Sequence, residues 1–310
     1  MRAGWSRFLL LVWLALLVGP AAWGKSQTVR VVLSGDDAAA SEAVESLRGR
    51  LTDQDVLVSQ GSDFAGVAPG LIVAVGQEAL RRVLEAGEPG WQRVPVVAML
   101  VPRYMLERGR GDRLVTGVYL DQPFQRQLAL LRLAIPDRPR IGVLLGPTSR
   151  RYEAELLQAI KAAGLEGTVE MVGNALTLAK PLQAVLGESD VLFGVPDPAV
   201  FNNATAQNIL RSAYRQRIPV IGFSAPFVRA GAMFAVHGIP ARMGHQAAEM
   251  ALRILAGEAP NAEEPRDFKV AVNDHVAHSF GLLLDEDRLT RQLAQAPSAG
   301  MPVRQERKRP

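Results

Sequence analysis

The two histidines His275 and His278 form an HxxH pair beside Asp274, a spacing found in metal sites. No third ligand of matching context accompanies them, so we predict no metal. Ser224 lacks the flanking glycines of a nucleophile elbow. No GxGxxG follows the first apolar run, and no P-loop lysine pattern occurs. The sequence therefore predicts no catalytic residue and no cofactor, and we expect a protein that is not an enzyme.

The stretch GPTSRRYEAE, which starts at Gly146, could bind an anion. Thr148 and Ser149 supply hydroxyls beside two arginines at the predicted start of a helix, where backbone amides attract negative charge. A plain helix cap with solvated arginines explains the same residues equally well. Asp197 in VPDPAVFN poses a similar choice, because it could bind a ligand amine or cap the next helix.

Three aromatic residues near predicted strand ends, Tyr119, Phe223 and Phe227, could stack on a ring of a ligand. Ordinary packing is the more common role of aromatic residues at such places. Asp121 and Gln122 in YLDQP follow an apolar run between the two halves of the chain. We interpret them as hinge residues with no ligand contact.

Short apolar runs rich in Val, Ile and Leu alternate with helical patterns along the chain. Runs without polar alternation are typical of parallel strands that helices cover on both faces. The alternation predicts βαβ units. The predicted strands are Val29–Leu33, Leu71–Val75, Val94–Leu100, Ile141–Leu145, Val191–Val195 and Pro219–Phe223, with weaker candidates at Val56–Ser59, Val169–Met171 and Phe268–Val272.

The order of these elements occurs twice. RVPVVAML at 93–100 corresponds to RIPVIGFS at 217–224, and VRVVLSG at 29–35 corresponds to IGVLLGP at 141–147. The repeat predicts two similar α/β lobes in tandem. The helical stretch PARMGHQAAEMALRILAGE, from Pro240, is one helix more than the second lobe needs, so we expect it to pack on the first lobe.

Ligands of open α/β sheets bind beyond the carboxyl ends of the strands, where loops and helix N-termini converge. Two lobes that face each other bring two such edges together. We therefore predict a ligand site at the strand ends. Its predicted residues are Ser34, Gly35, Gly76, Gln77, Tyr119, Gly146, Thr148, Ser149, Asp197, Phe223 and Ser224.

The formal net charge of +4 in 310 residues comes from the two ends of the chain. Residues 1–24 contribute two arginines and residues 297–310 a net charge of +3, which leaves the middle near −1. A chain that is basic only at its ends is a poor nucleic-acid binder. We expect a monomer that binds a small molecule and a membrane protein.

The N-terminus has a positive start, an apolar stretch from Phe8 to Val18 and small residues before Lys25. This pattern predicts a secretory signal peptide and a periplasmic protein. The chain has no cysteine, so it is not a lipoprotein anchored through one. We predict a signal peptide at 1–24, lobe 1 at 25–116 plus 237–263, lobe 2 at 117–236 plus 264–292, and a disordered basic tail at 293–310.

Three long stretches resemble the family of ABC-transporter substrate-binding proteins typified by tryptophan- and tyrosine-type binding proteins. They run from Leu71 to Arg103, from LVTGVYLDQPF at Leu114 to Arg151, and from DVLFGVPDPAVFNN at Asp190 to Pro260. The resemblance implies a type I periplasmic-binding-protein fold, in which three crossovers join two Rossmann-like lobes. It also implies that the cleft closes on a ligand, which is then presented to an ABC permease.

The first lobe departs from this family in its opening VVLSGDDAAASEAVESLRGRL, which is short and acidic where many members have a longer ligand-facing loop. This departure argues against an aromatic amino acid ligand. Together with the basic tail it favours an alternative function. In that alternative the same fold serves as an extracytoplasmic sensory or assembly module that acts through a protein partner instead of a permease.

Overall fold

Helix α11 (Glu286–Gln295) includes residue 293, the predicted start of the tail, and its Leu293 is buried in the core. Residues 293–295 are therefore helical. The predicted signal peptide, residues 1–24, lies outside the described residues, as do residues 297–310. This computed structural model describes residues 28–35, 37–52, 55–60, 67–86, 90–107, 113–137 and 139–296.

The sheet of the first lobe has five parallel strands in the order β2-β1-β3-β4-β5. They are β1 (Val29–Leu33), β2 (Val56–Gln60), β3 (Leu71–Val75), β4 (Val96–Val101) and β5 (Val115–Tyr119). Alternate residues of the central strands join two apolar clusters on opposite faces. Because both faces are buried, these strands need apolar residues at successive positions.

The sheet of the second lobe has six strands in the order β11-β10-β9-β8-β6-β7. They are β6 (Ile141–Leu145), β7 (Gly167–Met171), β8 (Val191–Phe193), β9 (Val220–Ile221), β10 (Phe234–Gly238) and β11 (Phe268–Val272). All pair in parallel except β11, which runs antiparallel to β10. The predicted parallel α/β sheets are thus confirmed, with β11 as an antiparallel edge strand. Gly238, where β10 ends, pairs with Phe268, where β11 begins. The chain therefore re-enters the sheet beside the end of β10 and runs in the opposite direction to it.

Helices flank both sheets and bury one face each. They are α1 (Ala38–Arg50), α2 (Gln77–Glu85), α3 (Arg103–Leu106), α4 (Phe124–Ala134), α5 (Glu153–Ala162), α6 (Ala179–Glu188), α7 (Ala206–Arg215), α8 (Ala225–Arg229), α9 (Pro240–Leu255), α10 (Asp274–Ser279) and α11. A short 3₁₀ turn, Arg150–Tyr152, precedes α5. The molecule is thus an α/β protein with two Rossmann-like lobes.

The chain passes between the lobes three times, from β5 to α4, from β10 to α9, and from α9 to β11. The first and third crossings are hydrogen-bonded to each other. The amide of Tyr119 donates to the carbonyl of Glu263 at 2.9 Å. The amide of Glu263 donates to the carbonyl of Gly117, also at 2.9 Å. The side-chain amide of Gln246 donates to the Glu264 carbonyl at 2.9 Å. These bonds join two crossings to α9.

Helix α9 packs against α1 of the first lobe, although the strands before and after it belong to the second sheet. Met243 and Ala247 share an apolar cluster with Leu47 of α1. Gly244 sits where a Cβ atom would lie 2.0 Å from the carbonyl oxygen of Ala43. The two helix backbones therefore touch, which a side chain at this position would prevent.

Candidate functional site

A small cavity lies between the lobes, where chain segments after the carboxyl ends of five strands meet. Its volume is about 20 Å³, room for a water molecule or two. The cavity is lined by Arg103 after β4, by Tyr119, Asp121 and Gln122 at the end of β5, by Phe124 and Gln127 of α4, by Tyr152 after β6, by Val195 and Pro196 after β8, by Phe223 after β9, and by Glu264 of the third crossing.

Arg103 is the centre of a polar cluster that joins the two lobes. Its Nη1 donates to Oε1 of Glu155 in the second lobe at 2.9 Å, and its Nε donates to Oε1 of Glu107 in the first. The guanidinium lies over the ring of Tyr152, 4.7 Å from the ring centre. The Tyr152 hydroxyl donates to Oε2 of Glu107 at 2.7 Å. We call Arg103, Glu107, Tyr152 and Glu155 the interlobe cluster.

The protonation of the interlobe cluster follows from its surroundings. Burial alone lowers the pKa of Arg103, but its hydrogen bonds with Glu155 and Glu107 outweigh burial and raise that pKa. Burial, and next the hydrogen bond to Glu107, raise the pKa of Tyr152. Arg103 thus stays charged and Tyr152 stays a hydrogen-bond donor at neutral pH.

Two acidic residues of the crossings also face the cavity. Oδ2 of Asp121 accepts a hydrogen bond from the backbone amide of Arg103 at 2.7 Å, while burial raises the pKa of Asp121. Burial likewise raises the pKa of Glu264, which Arg126 lowers only in part. Asp121 therefore combines a hinge position with a place in the cavity wall, whereas the sequence interpretation gave it the hinge alone.

Asp197 is buried beneath the loop that follows β6. Its Oδ2 accepts hydrogen bonds from the amides and hydroxyls of Thr148 and Ser149, at 2.7 to 3.0 Å. Its Oδ1 accepts from the amide of Ala199 at 2.8 Å. Burial raises the pKa of Asp197, but the bonds from Thr148, Ala199 and Ser149 outweigh it and lower the pKa. None of these five donors belongs to the next helix, α7, whose N-cap is Thr205, so Asp197 does not cap that helix but holds the loop after β6.

The same contacts bear on the anion site considered at GPTSRR. The amides of Thr148 and Ser149 are already used by Asp197. Gly146 lies so close to this carboxylate that a Cβ atom would be 2.4 Å from Oδ1 of Asp197. The loop is therefore organised around an internal anion, and glycine is required for its close approach. We call Asp197, Thr148 and Ser149 the internal carboxylate cluster.

Four predicted site residues of the first lobe lie outside the interlobe cavity. Oγ of Ser34 accepts a hydrogen bond from the amide of Ala79 at 2.8 Å, near the start of α2. Gly76 precedes that helix at φ 87°, and Gln77 begins it. Gly35 lines a separate surface depression along α1. These four residues shape the end of the first sheet, and their contact with a ligand stays a prediction.

Tyr119 and Phe223 are the two predicted residues that the structure brings to the cavity. Phe223 stacks on Phe227, with ring centres 4.8 Å apart. Ser224 caps α8, accepting a hydrogen bond from the amide of Phe227 at 3.3 Å. The guanidinium carbon of Arg103 lies 5.9 Å from the centre of the Tyr119 ring.

The sequence interpretation missed Arg103, Tyr152, Gln127 and Glu264 in the cavity wall. Arg103 could have been found, because it follows the apolar strand β4 directly and strand ends were the criterion. Tyr152 and Gln127 belong to helical stretches that follow strands at a distance. Glu264 reaches the cavity through the third crossing, which no local pattern predicts.

The described residues contain no group of three His, Cys, Asp or Glu side chains that could hold a metal ion. His275 and His278 lie exposed on α10. Within the same described ranges, no helix combines the length and the apolar character that a membrane span requires.

Two α/β lobes, three crossings and a cavity walled by strand ends define the class of two-lobed binding proteins. The chain belongs to the ABC transporter substrate binding protein family, whose model matches residues 34–295. No curated protein matches the sequence significantly.

Solved structures share the fold at low sequence identity. A conserved domain protein from Vibrio cholerae is 18% identical, with a TM-score of 0.60 over 86% of this chain and 98% of that one. An ABC domain from Streptococcus pneumonia in complex with L-Trp is 15% identical, with a TM-score of 0.60 over 85% and 97%. A Clostridium difficile substrate-binding protein with adhesive properties, ligand-free and open, is 17% identical, with a TM-score of 0.62 over 84% and 96%.

Proposed function

We propose that this protein is an exported solute-binding protein of an ABC-type importer. It captures a small organic ligand in the interlobe cleft and delivers it to an ABC permease. The observation that supports this most is the cavity, whose walls come from the strand ends of both lobes and from two crossings. A ligand held there contacts both lobes at once, as capture by closure requires.

The interlobe cluster supports closure as the mechanism. The bond between Arg103 and Glu155 and the bond between Tyr152 and Glu107 both run from one lobe to the other. They form only when the lobes are together. A ligand that touches both lobes adds its contacts to these bonds, and it shifts the hinge equilibrium by its difference in affinity for the two forms.

The site of action follows from the sequence. The pattern of residues 1–24 supports export to the periplasm, where the protein meets solutes before they cross the inner membrane. The streptococcal structure of the same fold holds L-Trp, which supports a small organic ligand for this chain as well. A binding protein of this kind performs no chemistry on its ligand.

Small-angle X-ray scattering tests the proposal. A thermal-shift screen of amino acids, nucleobases, sugars and small organic anions first identifies molecules that raise the melting temperature, since a ligand at 100 times its Kd adds about 2.7 kcal/mol. Each of these molecules is then added in the scattering experiment. We expect a smaller radius of gyration with ligand than without. An unchanged radius with every molecule that binds would show that closure is not the mechanism.

A second candidate function is a sensory or assembly module that acts through a protein partner. The observation in its favour is that side chains of the chain itself join the lobes in the interlobe cluster. If these contacts keep the lobes closed without a solute, a protein partner can bind the closed form whether or not a solute is present. The related Clostridium difficile protein has adhesive properties, which supports such a role here. Cross-linking in cells would favour this candidate if the same complex forms with and without the solute.

A further inference from the structure

Two glutamine side chains in the wall of the interlobe cavity each use only one end of their amide. Gln122 and Gln127 are 6% and 5% exposed. Oε1 of Gln122 accepts a hydrogen bond from Nη1 of Arg126 at 2.6 Å. Nε2 of Gln127 donates to the backbone carbonyl of Gln122 at 2.9 Å. The other end of each amide has no hydrogen-bond partner within the described residues.

These partners fix which end of each amide is unused. Arginine has only donors, so the atom that faces Arg126 must be the oxygen of Gln122, and Nε2 is left over. A backbone carbonyl only accepts, so Gln127 must turn its nitrogen to it, and Oε1 is left over. These two residues of the cavity lining therefore carry one unused donor, on Gln122, and one unused acceptor, on Gln127. Buried polar atoms without partners are rare and unfavourable.

The remaining walls suit a flat group. Tyr119, Tyr152 and Phe223 supply ring faces and edges, and Val195 and Pro196 supply apolar surface. The position of Gln122 is held firmly, because Arg126 also donates to the carbonyl of Pro265 at 2.8 Å and lies over the ring of Phe268. An unused donor and an unused acceptor on two hydrogen-bonded residues of a lining that contains aromatic rings complement a planar group that carries both an acceptor and a donor.

We propose that the cleft recognises a planar amide, a carboxamide or a lactam, through Gln122 and Gln127. The ligand carbonyl accepts from Nε2 of Gln122, and the ligand N–H donates to Oε1 of Gln127. The inference rests on the proposed solute-binding function and names its ligand class. An amide group exceeds the 20 Å³ cavity, so it enters while the lobes are apart, with the bond between Arg103 and Glu155 broken.

Matched pairs of probes test the ligand class on the unaltered protein. Nicotinamide is compared with nicotinic acid, and uracil with 1,3-dimethyluracil, by thermal shift and by isothermal titration calorimetry. The second member of each pair keeps the ring but lacks the amide N–H. We expect the first member of at least one pair to bind, and its partner to bind at least tenfold more weakly. Equal binding within both pairs, or no binding by either amide, would overturn the inference.

A one-atom substitution tests the residues. Gln122→Glu keeps an oxygen for Arg126 but replaces the unused donor by an acceptor, which repels a ligand carbonyl. We expect it to weaken binding of the amide probe at least tenfold. Gln125→Glu makes the same change at an exposed position three residues further along, on α4, and should leave Kd unaltered. Unaltered melting temperatures and circular dichroism spectra verify that both variants fold. If one variant does not fold, the probe pairs on the unaltered protein test the ligand class instead.

The outcomes separate this inference from the function on which it rests. If an amino acid, sugar or organic anion binds while both amides fail, the ligand class is wrong and solute binding stands. If an amide binds but Gln122→Glu leaves its Kd unchanged, the assigned residues are wrong. If no molecule of the wider screen binds, the solute-binding function fails together with the inference.

Discussion

Two polar clusters lie near the strand ends, and they differ in whether their hydrogen bonds stay within one lobe or join the two lobes. In the internal carboxylate cluster, Asp197 takes all five of its donors from its own lobe. In the interlobe cluster, Arg103 and Tyr152 bond across the gap between the lobes. The first cluster is unaffected by a hinge motion, whereas the second must break when the lobes part. The comparison indicates that the loop after β6 is held within one lobe, whereas the polar contacts of Arg103 depend on both lobes.

Removing the carboxylate of Asp197 should have the largest effect on stability. Asp197→Ala leaves the amides of Thr148, Ser149 and Ala199 buried without an acceptor, at about 1 to 3 kcal/mol each. We expect the free energy of unfolding to fall by about 3 to 5 kcal/mol, as measured by urea denaturation. Asp190→Ala removes an exposed partner of Arg140 in the same lobe and should cost less than about 1 kcal/mol. Equal losses would show that the internal carboxylate cluster is no more than a surface contact.

The same cluster should make the protein sensitive to acid. Because the folded-state pKa of Asp197 lies below its unfolded value of about 3.9, its contribution is complete above pH 4 and is lost as the pH falls through the folded pKa. Melting temperatures of the wild type and of Asp197→Asn, measured from pH 6 to pH 2.5, should therefore converge at low pH. If the two melting temperatures instead stay the same distance apart down to pH 2.5, the lowered folded-state pKa of Asp197 would be contradicted.

Truncation of Arg103 should open the lobes with less effect on either core. Arg103→Ala removes two charge-assisted bonds, so we expect the open form to gain about tenfold in population relative to the closed form. The chain has no cysteine, so one cysteine introduced on α1 and one on α6 allow site-specific labels for distance measurements. Arg140→Ala, which breaks an ion pair within one lobe, is the control and should leave the distance unchanged.

Neutralising Glu264 should have a smaller effect, opposite in sign to that at Asp197. Burial raises the folded-state pKa of Glu264, so its charge destabilises the fold above that pKa, and the penalty fades as the pH falls toward the unfolded value of about 4.3. Glu264→Gln should raise the free energy of unfolding at pH 7 by less than about 1 kcal/mol, and by less still at pH 4.5. A loss of stability at pH 7 would show that the carboxylate has a favourable partner.

Removal of the Tyr152 hydroxyl should have an effect of a size similar to that at Glu264. Tyr152→Phe keeps the ring beneath Arg103 and deletes only the bond to Glu107, which should favour the open form by about 1 kcal/mol. A double-mutant cycle with Glu107→Gln, read by the same label distances, isolates this bond. A coupling energy near zero would place the strength of the interlobe cluster in Arg103 alone.

Several strands could be predicted from the sequence at the bounds that the structure shows, among them Val29–Leu33, Leu71–Val75 and Ile141–Leu145. These are inner strands of parallel sheets, and burial on both faces demands unbroken apolar runs. Strands β5 and β10 were not predicted as strands. VTGVY carries Thr and Gly, and FAVHG ends in His and Gly, so neither shows a full apolar run. Their place in the sheets is decided by pairing with neighbours.

The candidate site was less predictable than the fold. Strand ends identified Tyr119 and Phe223 in the cavity, but not Arg103 or Glu264. The hydrogen-bond partners of a side chain depend on distances between segments far apart in the sequence. Asp197 illustrates this dependence, because its donors lie about fifty residues earlier in the chain. Its sequence context alone fitted a ligand contact as well as a cap.

The sequence by itself determined the class of fold and its two similar halves. Local apolar runs, their alternation with helices and their repetition suffice for these features, because each depends on burial along a short segment. Only the tertiary structure decided that β11 runs antiparallel to β10, which carboxylate is internal, and which amide atoms of Gln122 and Gln127 are left unused. The first two features depend on contacts between segments far apart in the sequence, and the third depends on which atoms the folded cavity wall leaves without a partner.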